Sequence, residues 1–257
     1  IPGGKRTLLV PARNFPVEVL FLRDDDIPES VASGVADVGI VGLNEVMEKR
    51  CPVGILKKLG FGKCRLSLAI PQNIDYQDRN WFSGKKIATS YPGILSDYLH
   101  KNGIVSDIHV ITGSVEIAPG IRLADAIFDI VSSGSTLVSN RLKEVETVVE
   151  SEAVLIGTDS ISPEKRGILD ELLFRFDSVQ AADDKKYILM NVPQKKLNDV
   201  LSVLPGIKSP TVMPLADKEW CSVHTVLDEK CFWEIINRLK TAGAEGILVL
   251  DIEKMIL

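Results

Sequence analysis

One stretch of the chain has the pattern of a strand that runs into a loop of small polar residues and then into a helix. It covers residues 129–137, with the sequence Asp-Ile-Val-Ser-Ser-Gly-Ser-Thr-Leu. Successive side chains of a strand alternate between its faces, so Asp129 projects from the face opposite Phe128, near the strand's carboxyl end. A strand, a turn and a helix in this order predict an α/β fold.

The same stretch predicts an anion site. Residues 132–136 offer free backbone N–H groups and hydroxyls, and Gly134 lets an anion approach the backbone. A helix expected from Leu137 adds its first N–H groups and its dipole. A carboxylate beside such a loop indicates a phosphorylated sugar, with the loop holding phosphate and Asp129 holding hydroxyls or positioning Mg²⁺. The alternative is a ligand-free turn whose Ser135 or Thr136 caps the helix.

Composition restricts the class of protein. At 257 residues, two or three small domains are expected. The net charge is −5 and no dense Lys/Arg cluster interleaves with aromatic residues, so nucleic acid is not an expected partner. The four cysteines form no C-x-x-C pair and only three histidines occur, which favours a reduced cytoplasmic protein without structural zinc. No apolar run is long enough to span a membrane.

The first part of the chain predicts two similar α/β lobes that face a cleft. A hairpin-like pair is expected at 7–10 and 17–22, and a helix from Ile27 to Gly34 with Pro28 in its first turn. Helix, Ala-Asp, strand, glycine loop and helix follow one another around 36–48 and again around 123–137.

Further strands are expected at 64–70, 85–89 and 149–156, with a helix at 94–102. Such alternation predicts mostly parallel sheets with ligands at the carboxyl ends of the strands. The strand at 149–156 is expected to return the chain to the first lobe.

The last part of the chain has a different pattern. Strands and helices from Tyr187 onward follow the order βαββαβ, which is that of a ferredoxin-like module. We therefore expect three domains: a first lobe at 1–69 and 152–182, a second lobe with the loop at 70–151, and a C-terminal domain at 183–257. By analogy of fold, the C-terminal domain is expected to serve regulation or assembly.

Eight segments in order resemble the ATP phosphoribosyltransferase family of histidine biosynthesis, in its long form. They lie at 22–28, 36–42, 60–67, 86–92, 113–119, 123–137, 209–215 and 242–250. The family begins with a strand and a Lys-Ser-Gly-Arg-like turn that this sequence lacks, and because the chain begins at Ile1 rather than methionine we expect an upstream segment.

The resemblance implies an activity. The phosphoribosyl group of phosphoribosyl pyrophosphate (PRPP) would pass to N1 of the adenine of ATP, with release of pyrophosphate and a requirement for Mg²⁺. It also implies lobes like those of periplasmic binding proteins, a C-terminal ACT-like domain through which histidine inhibits, and a dimer or hexamer.

Site residues follow from both lines of argument. Ser133, Gly134, Ser135 and Thr136 are assigned to the 5′-phosphate, and Asp129 to the ribose hydroxyls. Displacement at the anomeric carbon has oxocarbenium character, so the protein must hold the ribose and leaving group and complement the charge.

Three other assignments carry alternatives. Glu116 binds ribose or Mg²⁺, or is a solvated acid near a helix start. Arg65, a charged residue in an apolar strand, binds the triphosphate or pyrophosphate, or forms an ion pair. Tyr91 stacks on adenine, or packs at the hinge between the lobes.

The remaining polar residues point less clearly to a site. The acids at 24–26 favour a helix start over a metal site. Asn191 and Thr211 match positions of the family's histidine pocket, and both could be ordinary strand-end residues. His224 is expected to have a core or surface role.

Two other classes of function remain open. A non-enzymatic two-lobed protein that binds a small anion would lack Mg²⁺-compatible acids. A ferredoxin-like regulator with scaffold lobes would leave Asp129 without a ligand.

Overall fold

The computed structural model describes residues 8–205 and 209–256. The chain forms two compact units, Ile1–Ser162 and Pro163–Leu257. None of the helices in these described ranges has the length and apolar character needed to cross a membrane.

The first unit contains ten strands and four α-helices in its described part. The strands are β1 (Leu9–Pro11), β2 (Glu18–Leu20), β3 (Val38–Gly42), β4 (Gly54–Lys58), β5 (Cys64–Pro71), β6 (Lys86–Thr89), β7 (Asp107–Val110), β8 (Ala126–Val131), β9 (Leu142–Ser151) and β10 (Ala153–Gly157). The helices are α1 (Ile27–Ala32), α2 (Leu43–Lys49), α3 (Pro92–Lys101) and α4 (Ser135–Ser139), with 3₁₀ turns at Asp24–Asp26, Arg79–Phe82 and Val115–Ile117.

Strands β1 and β2 pair as the expected hairpin, although Thr7 lies outside the described residues. Two larger sheets follow, a five-stranded sheet with the order β7-β6-β8-β5-β9 and a three-stranded sheet with the order β3-β10-β4. The expected single strand at 149–156 is divided between β9 and β10, and β10 returns the chain to β3 and β4.

The prediction of mostly parallel sheets is wrong. Strand β6 pairs in parallel with β7 and β8, but β5 is antiparallel to β8 and β9, and β10 is antiparallel to β3 and β4. The chain between β5 and β9 is long enough to allow either direction, so the alternation of strands and helices did not determine how these strands pair.

Each face of the five-stranded sheet is covered by a separate apolar cluster. Phe128 and Leu66 are fully buried in the cluster that includes residues of α3. Ile127 and Val131 pack on the other face with Leu137 of α4. Burying a side chain of this size stabilises the fold by about 1.5–3 kcal/mol. The alternation of β8 therefore places Asp129 on the face that carries α4, opposite Phe128, as predicted.

The second unit has three helices and four strands in its described part. These are α5 (Pro163–Ala182), β11 (Lys185–Pro193), α6 (Leu197–Val203), β12 (Thr211–Pro214), β13 (Trp220–Asp228), α7 (Glu229–Ala242) and β14 (Glu245–Asp251). The sheet has the order β12-β13-β11-β14 and all its pairs are antiparallel. The predicted βαββαβ module is confirmed. Helix α5 was not predicted. Few of its side chains are buried, and a helix without a wide buried face has little apolar periodicity by which to predict it.

Candidate functional site

The predicted anion loop lies between β8 and α4, and helix α4 begins at Ser135, two residues before the expected start. Gly134 precedes it with a left-handed φ of +80°. That conformation strains any residue with a side chain, so the turn requires glycine. A Cβ built there would meet only Val131 Cγ1, at 4.0 Å, which leaves the approach to the backbone open.

A cavity of about 270 Å³ opens at this loop. Its lining includes Glu116 and Asp129 together with the loop residues Ser133, Gly134 and Thr136. The structure thus brings five of the predicted residues to one place, although Glu116 comes from the separate 3₁₀ turn Val115–Ile117.

Ser135 is the one assigned loop residue that does not line the cavity. Its hydroxyl lies 2.9 Å from the hydroxyl of Ser133. It therefore orients the Ser133 side chain from the first turn of α4.

Asp129 and Glu116 both line the cavity, and Asp129 is partly buried. Burial raises the pKa of Asp129, and the charge of Glu116 raises it further, while a hydrogen bond from the Ile130 N–H, at 2.8 Å from Asp129 Oδ1, opposes the shift. Two neighbouring acids favour a ligand that brings hydroxyl donors or positive charge. A pyranose or furanose hydroxyl next to a phosphate has this chemistry.

Arg65 forms the ion pair that was the alternative to a ligand role. Its Nε and Nη2 each donate to Glu144 at 2.5 Å, and its Nη1 donates to the carbonyl oxygen of Ser132 at 3.1 Å. The structure thus favours the ion-pair alternative, because each guanidinium nitrogen donates within the protein and Arg65 does not line the cavity.

Tyr91 is packed within the protein. It is only 8% exposed, and its hydroxyl donates to Glu45 Oε1 at 2.8 Å and accepts from Asn44 Nδ2 at 3.1 Å. Burial and the neighbouring Glu45 raise the pKa of Tyr91. With the residue this buried and its hydroxyl bonded to two side chains, the structure favours the hinge alternative.

Sequence reasoning missed the acid beside Tyr91. Burial raises the pKa of Glu45, and its partner Asn44 is bonded to Ser151 in both directions, through the Asn44 N–H at 3.1 Å and the Ser151 hydroxyl at 2.8 Å. These contacts tie the start of α2 to the start of α3 and the end of β9. Asn and Glu at a helix start read as ordinary capping residues, so the sequence gives no signal for this network.

The remaining assignments lie elsewhere. Asp24–Asp26 form a 3₁₀ turn before α1, and Asp26 takes the N-cap position, as the helix-start alternative expected. Across the described ranges, no three or more His, Cys, Asp or Glu side chains cluster as a metal site.

In the second unit, Asn191 pairs in register with Ser222 and Thr211 with His224. Because Ser222 and His224 are two residues apart on β13, Asn191 and Thr211 share one face of the sheet, on either side of β13. The His224 ring lies in the same row of side chains, with Nδ1 at 2.8 Å from the Tyr187 hydroxyl and Nε2 at 3.0 Å from that of Ser222.

Two family models match the chain. The model described as ATP phosphoribosyltransferase matches residues 23–178, and that of the C-terminal domain of HisG matches residues 182–254. A curated ATP phosphoribosyltransferase of Bacteroides fragilis is 70% identical over 98% of this chain and 89% of that protein. One of Phocaeicola vulgatus is 69% identical over 100% of this chain and 91% of that protein.

Solved structures align with parts of this chain. The ATP phosphoribosyl transferase (HisG:HisZ) complex from Thermotoga maritima aligns with a TM-score of 0.59 and 25% identity, over 67% of this chain and 83% of that chain. A periplasmic sulfonate-binding protein from Methylobacillus flagellatus aligns with a TM-score of 0.44 and 18% identity, over 58% of this chain and 50% of that chain.

Proposed function

The chain belongs to the ATP phosphoribosyltransferase family, and we propose that it transfers the phosphoribosyl group of PRPP to N1 of the adenine of ATP. One observation carries the assignment of this reaction to a site: Asp129, Glu116 and the loop 132–136 meet at a single cavity. The cavity therefore places groups that can bind phosphate beside groups that can bind hydroxyls and that supply negative charge for a developing cation.

The loop is suited to the 5′-phosphate. Backbone N–H groups follow the left-handed Gly134, and the Ser133 and Thr136 side chains line the same cavity. Charge-assisted hydrogen bonds to an anion contribute about 1.5–3 kcal/mol each. Two or three such bonds fix the ribose ring at its 5′ end.

The acids are suited to the reacting end of the ribose. As the bond between C1′ and the pyrophosphate oxygen breaks, positive charge develops on the ring, and the lone pair of adenine N1 forms the new bond to C1′. Asp129 and Glu116 complement that charge and hold the ribose hydroxyls in place. This role requires Asp129 in its ionised form. Because its pKa is raised, Asp129 becomes ionised at a higher pH than an ordinary aspartate does.

Mg²⁺ fits this site as a companion of the substrate. In proteins that act on phosphates, Mg²⁺ uses one or two carboxylates and takes its other ligands from the phosphates and water. The described residues supply two such carboxylates, Asp129 and Glu116, and no larger cluster. When bound, the ion neutralises charge on the departing pyrophosphate.

We assign residues 1–69 and 152–182 to the first lobe, 70–151 to the second and 183–257 to a regulatory domain. Pairing of β10 with β3 and β4 supports the first assignment, and the family model at 182–254 supports the last. Helix α5, which this assignment gives to the first lobe, falls within the compact unit that contains the C-terminal sheet.

Feedback by histidine is assigned to the C-terminal domain. Asn191 and Thr211 lie on the same sheet face and carry none of the proposed chemistry of the cavity. Leu248 and Leu250 on β14 are 56% and 48% exposed, which supports assembly into a dimer or hexamer through this domain.

The proposed reaction is tested by incubating the chain with PRPP, ATP and Mg²⁺. We expect one pyrophosphate and one phosphoribosyl-ATP per PRPP consumed, and neither product when Mg²⁺ is chelated. Tight binding of PRPP without either product would instead identify a non-enzymatic anion-binding protein.

A further inference from the structure

The back of the anion loop is fastened to the sheet by one side chain. Arg65 Nη1 donates to the carbonyl oxygen of Ser132, the first residue of the loop, at 3.1 Å. In the register of β5 and β8, Arg65 lies opposite Val131, the last residue of β8. The guanidinium therefore reaches the point at which the chain leaves the strand and enters the loop.

Arg65 is itself held by an acid on the next strand. Glu144 of β9 accepts two bonds of 2.5 Å from Nε and Nη2. A two-bond pairing of guanidinium and carboxylate fixes both the plane and the direction of the arginine, which lysine cannot reproduce. The side chains are 30% and 24% exposed, so water screens this pair less than a pair on the open surface.

Glu144 is fixed in turn by two hydroxyls, one on the neighbouring strand β5 and one on β9 itself. Ser67 Oγ donates to Glu144 Oε1 at 2.7 Å and Thr147 Oγ1 donates to it at 3.1 Å. Hydrogen bonds from Arg65 are the main reason that the pKa of Glu144 falls to about 2, against a lesser opposing effect of burial. A carboxyl with a pKa this low is ionised at neutral pH and keeps its charge for the pairing with Arg65.

We propose that Arg65 and Glu144 are positioning residues for PRPP, which hold the Ser132 carbonyl so that the following N–H groups face the cavity. Neither residue lines the cavity, so both act through the loop and not on the substrate. Loss of Arg65 also leaves the charge of Glu144 unpaired near an anion site. This inference rests on the proposed binding of PRPP phosphate to the loop.

Four variants test the inference: Arg65→Met, Arg65→Lys, Glu144→Gln and the double variant Arg65→Met/Glu144→Gln. KM for PRPP is measured at saturating ATP, KM for ATP at saturating PRPP, and Tm for each protein. A matched control is Arg79→Met, because Arg79 donates at 2.6 Å to Asn102 and not to the loop.

Arg65→Met should raise KM for PRPP on the order of tenfold, with KM for ATP within about twofold. Arg65→Lys should recover only part of the loss, since it keeps the charge without the fork. Glu144→Gln should raise KM for PRPP less than Arg65→Met, and the double variant should be no worse than Arg65→Met. Arg79→Met should leave both KM values unchanged.

The inference is overturned if KM for PRPP stays within twofold in folded Arg65→Met, or if both KM values rise together. Additive effects of the two substitutions in the double variant would also contradict it. Should Arg65→Met fail to fold, Arg65→Lys and the near-isosteric Glu144→Gln decide by the same comparison. Gly134→Val tests the loop assignment separately. Normal PRPP binding in Gly134→Val would show that the loop does not bind the phosphate. Weakened binding in Gly134→Val together with normal Arg65 variants would contradict only the positioning role of Arg65.

Discussion

Two regions of the chain share the order strand, glycine and helix but form different local structures. In the first, Gly42 ends β3 and α2 begins at the next residue. In the second, residues 132–134 separate the end of β8 from the start of α4. At the first junction Asn44 hydrogen-bonds to Tyr91 and Ser151, and the second junction opens into the cavity.

Glycine has a different purpose in each region. Gly42 has a φ of −65°, which suits any residue, but a Cβ there would lie 2.3 Å from Asn44 Oδ1. Gly134 has space for a Cβ but a φ of +80°. The first glycine is needed for close packing and the second for a turn that exposes backbone N–H groups.

The polar groups differ in the same way. Asn44 and Glu45 are buried and bonded to Tyr91, so the first region is a structural junction between α2 and α3. Asp129 and Glu116 face a cavity instead. Buried polar groups whose hydrogen bonds are made within the protein indicate a structural role, and polar groups gathered at a cavity indicate ligand binding.

The largest effect on activity is expected at Asp129, in the second of these regions. Asp129→Asn keeps the shape but removes the charge that complements the developing cation, so kcat/KM should fall on the order of 10²-fold with little change in Tm. In the wild type, kcat/KM should fall as acid protonates Asp129, beginning at a higher pH than an unperturbed carboxyl of about 3.9 would give. Near-normal turnover of Asp129→Asn would make Asp129 structural and Glu116 the preferred acid.

The next effect concerns the turn. Gly134→Val should raise the Kd for PRPP at least about tenfold, because the side chain blocks the approach of phosphate to the backbone. Gly103 has a similar φ of +67° with no atom within 4 Å of a built Cβ, so Gly103→Val carries the same backbone strain away from the loop. Isothermal titration of both proteins isolates the binding effect, and equal Kd values would rule out phosphate binding by this loop.

Tyr91→Phe should mark the junction as structural. Loss of the hydroxyl leaves buried Glu45 with one partner fewer and should lower the free energy of unfolding by about 1–3 kcal/mol. Uninhibited kcat/KM should change by less than about threefold, as measured alongside urea unfolding. A large loss of activity at unchanged stability would place Tyr91 in the site after all.

Glu45 gives the same junction a pH signature. Its pKa is raised in the folded state, so the folded protein binds more protons than the unfolded one between the ordinary and the raised value. Its contribution to stability is therefore present below pH 4.5 and is lost as pH rises through the folded pKa. Glu45→Gln should flatten this part of the unfolding free energy against pH, and an unchanged profile would contradict the assignment.

The smallest effect on uninhibited catalysis is expected in the second unit. Thr211→Ala should leave kcat within about twofold while it shifts the histidine inhibition curve to higher concentration, because allosteric coupling of about 1–3 kcal/mol depends on few contacts. A wild-type inhibition curve in Thr211→Ala would place the effector site elsewhere.

The difference between the two regions also explains how much the sequence predicted. The loop, Asp129 and α4 follow one another along the chain, so strand alternation and turn composition were sufficient to join them. The βαββαβ module was predictable for the same reason, since each element has its own pattern.

Contacts between distant strands were not predictable. Arg65 and Glu144 are 79 residues apart and meet only through the register of β5 and β9, which no local pattern specifies. The antiparallel direction of β5 depends on the same long-range pairing. The burial of Tyr91 beside Glu45 likewise depends on how α2 meets α3.

A structure of the protein with PRPP and Mg²⁺ bound would show directly whether the loop after β8 binds the 5′-phosphate. We expect the 5′-phosphate within about 2.7–3.2 Å of backbone N–H groups of residues 132–136, with the ribose hydroxyls facing Asp129. A 5′-phosphate bound away from this loop, with the cavity after β8 left to solvent, would contradict it.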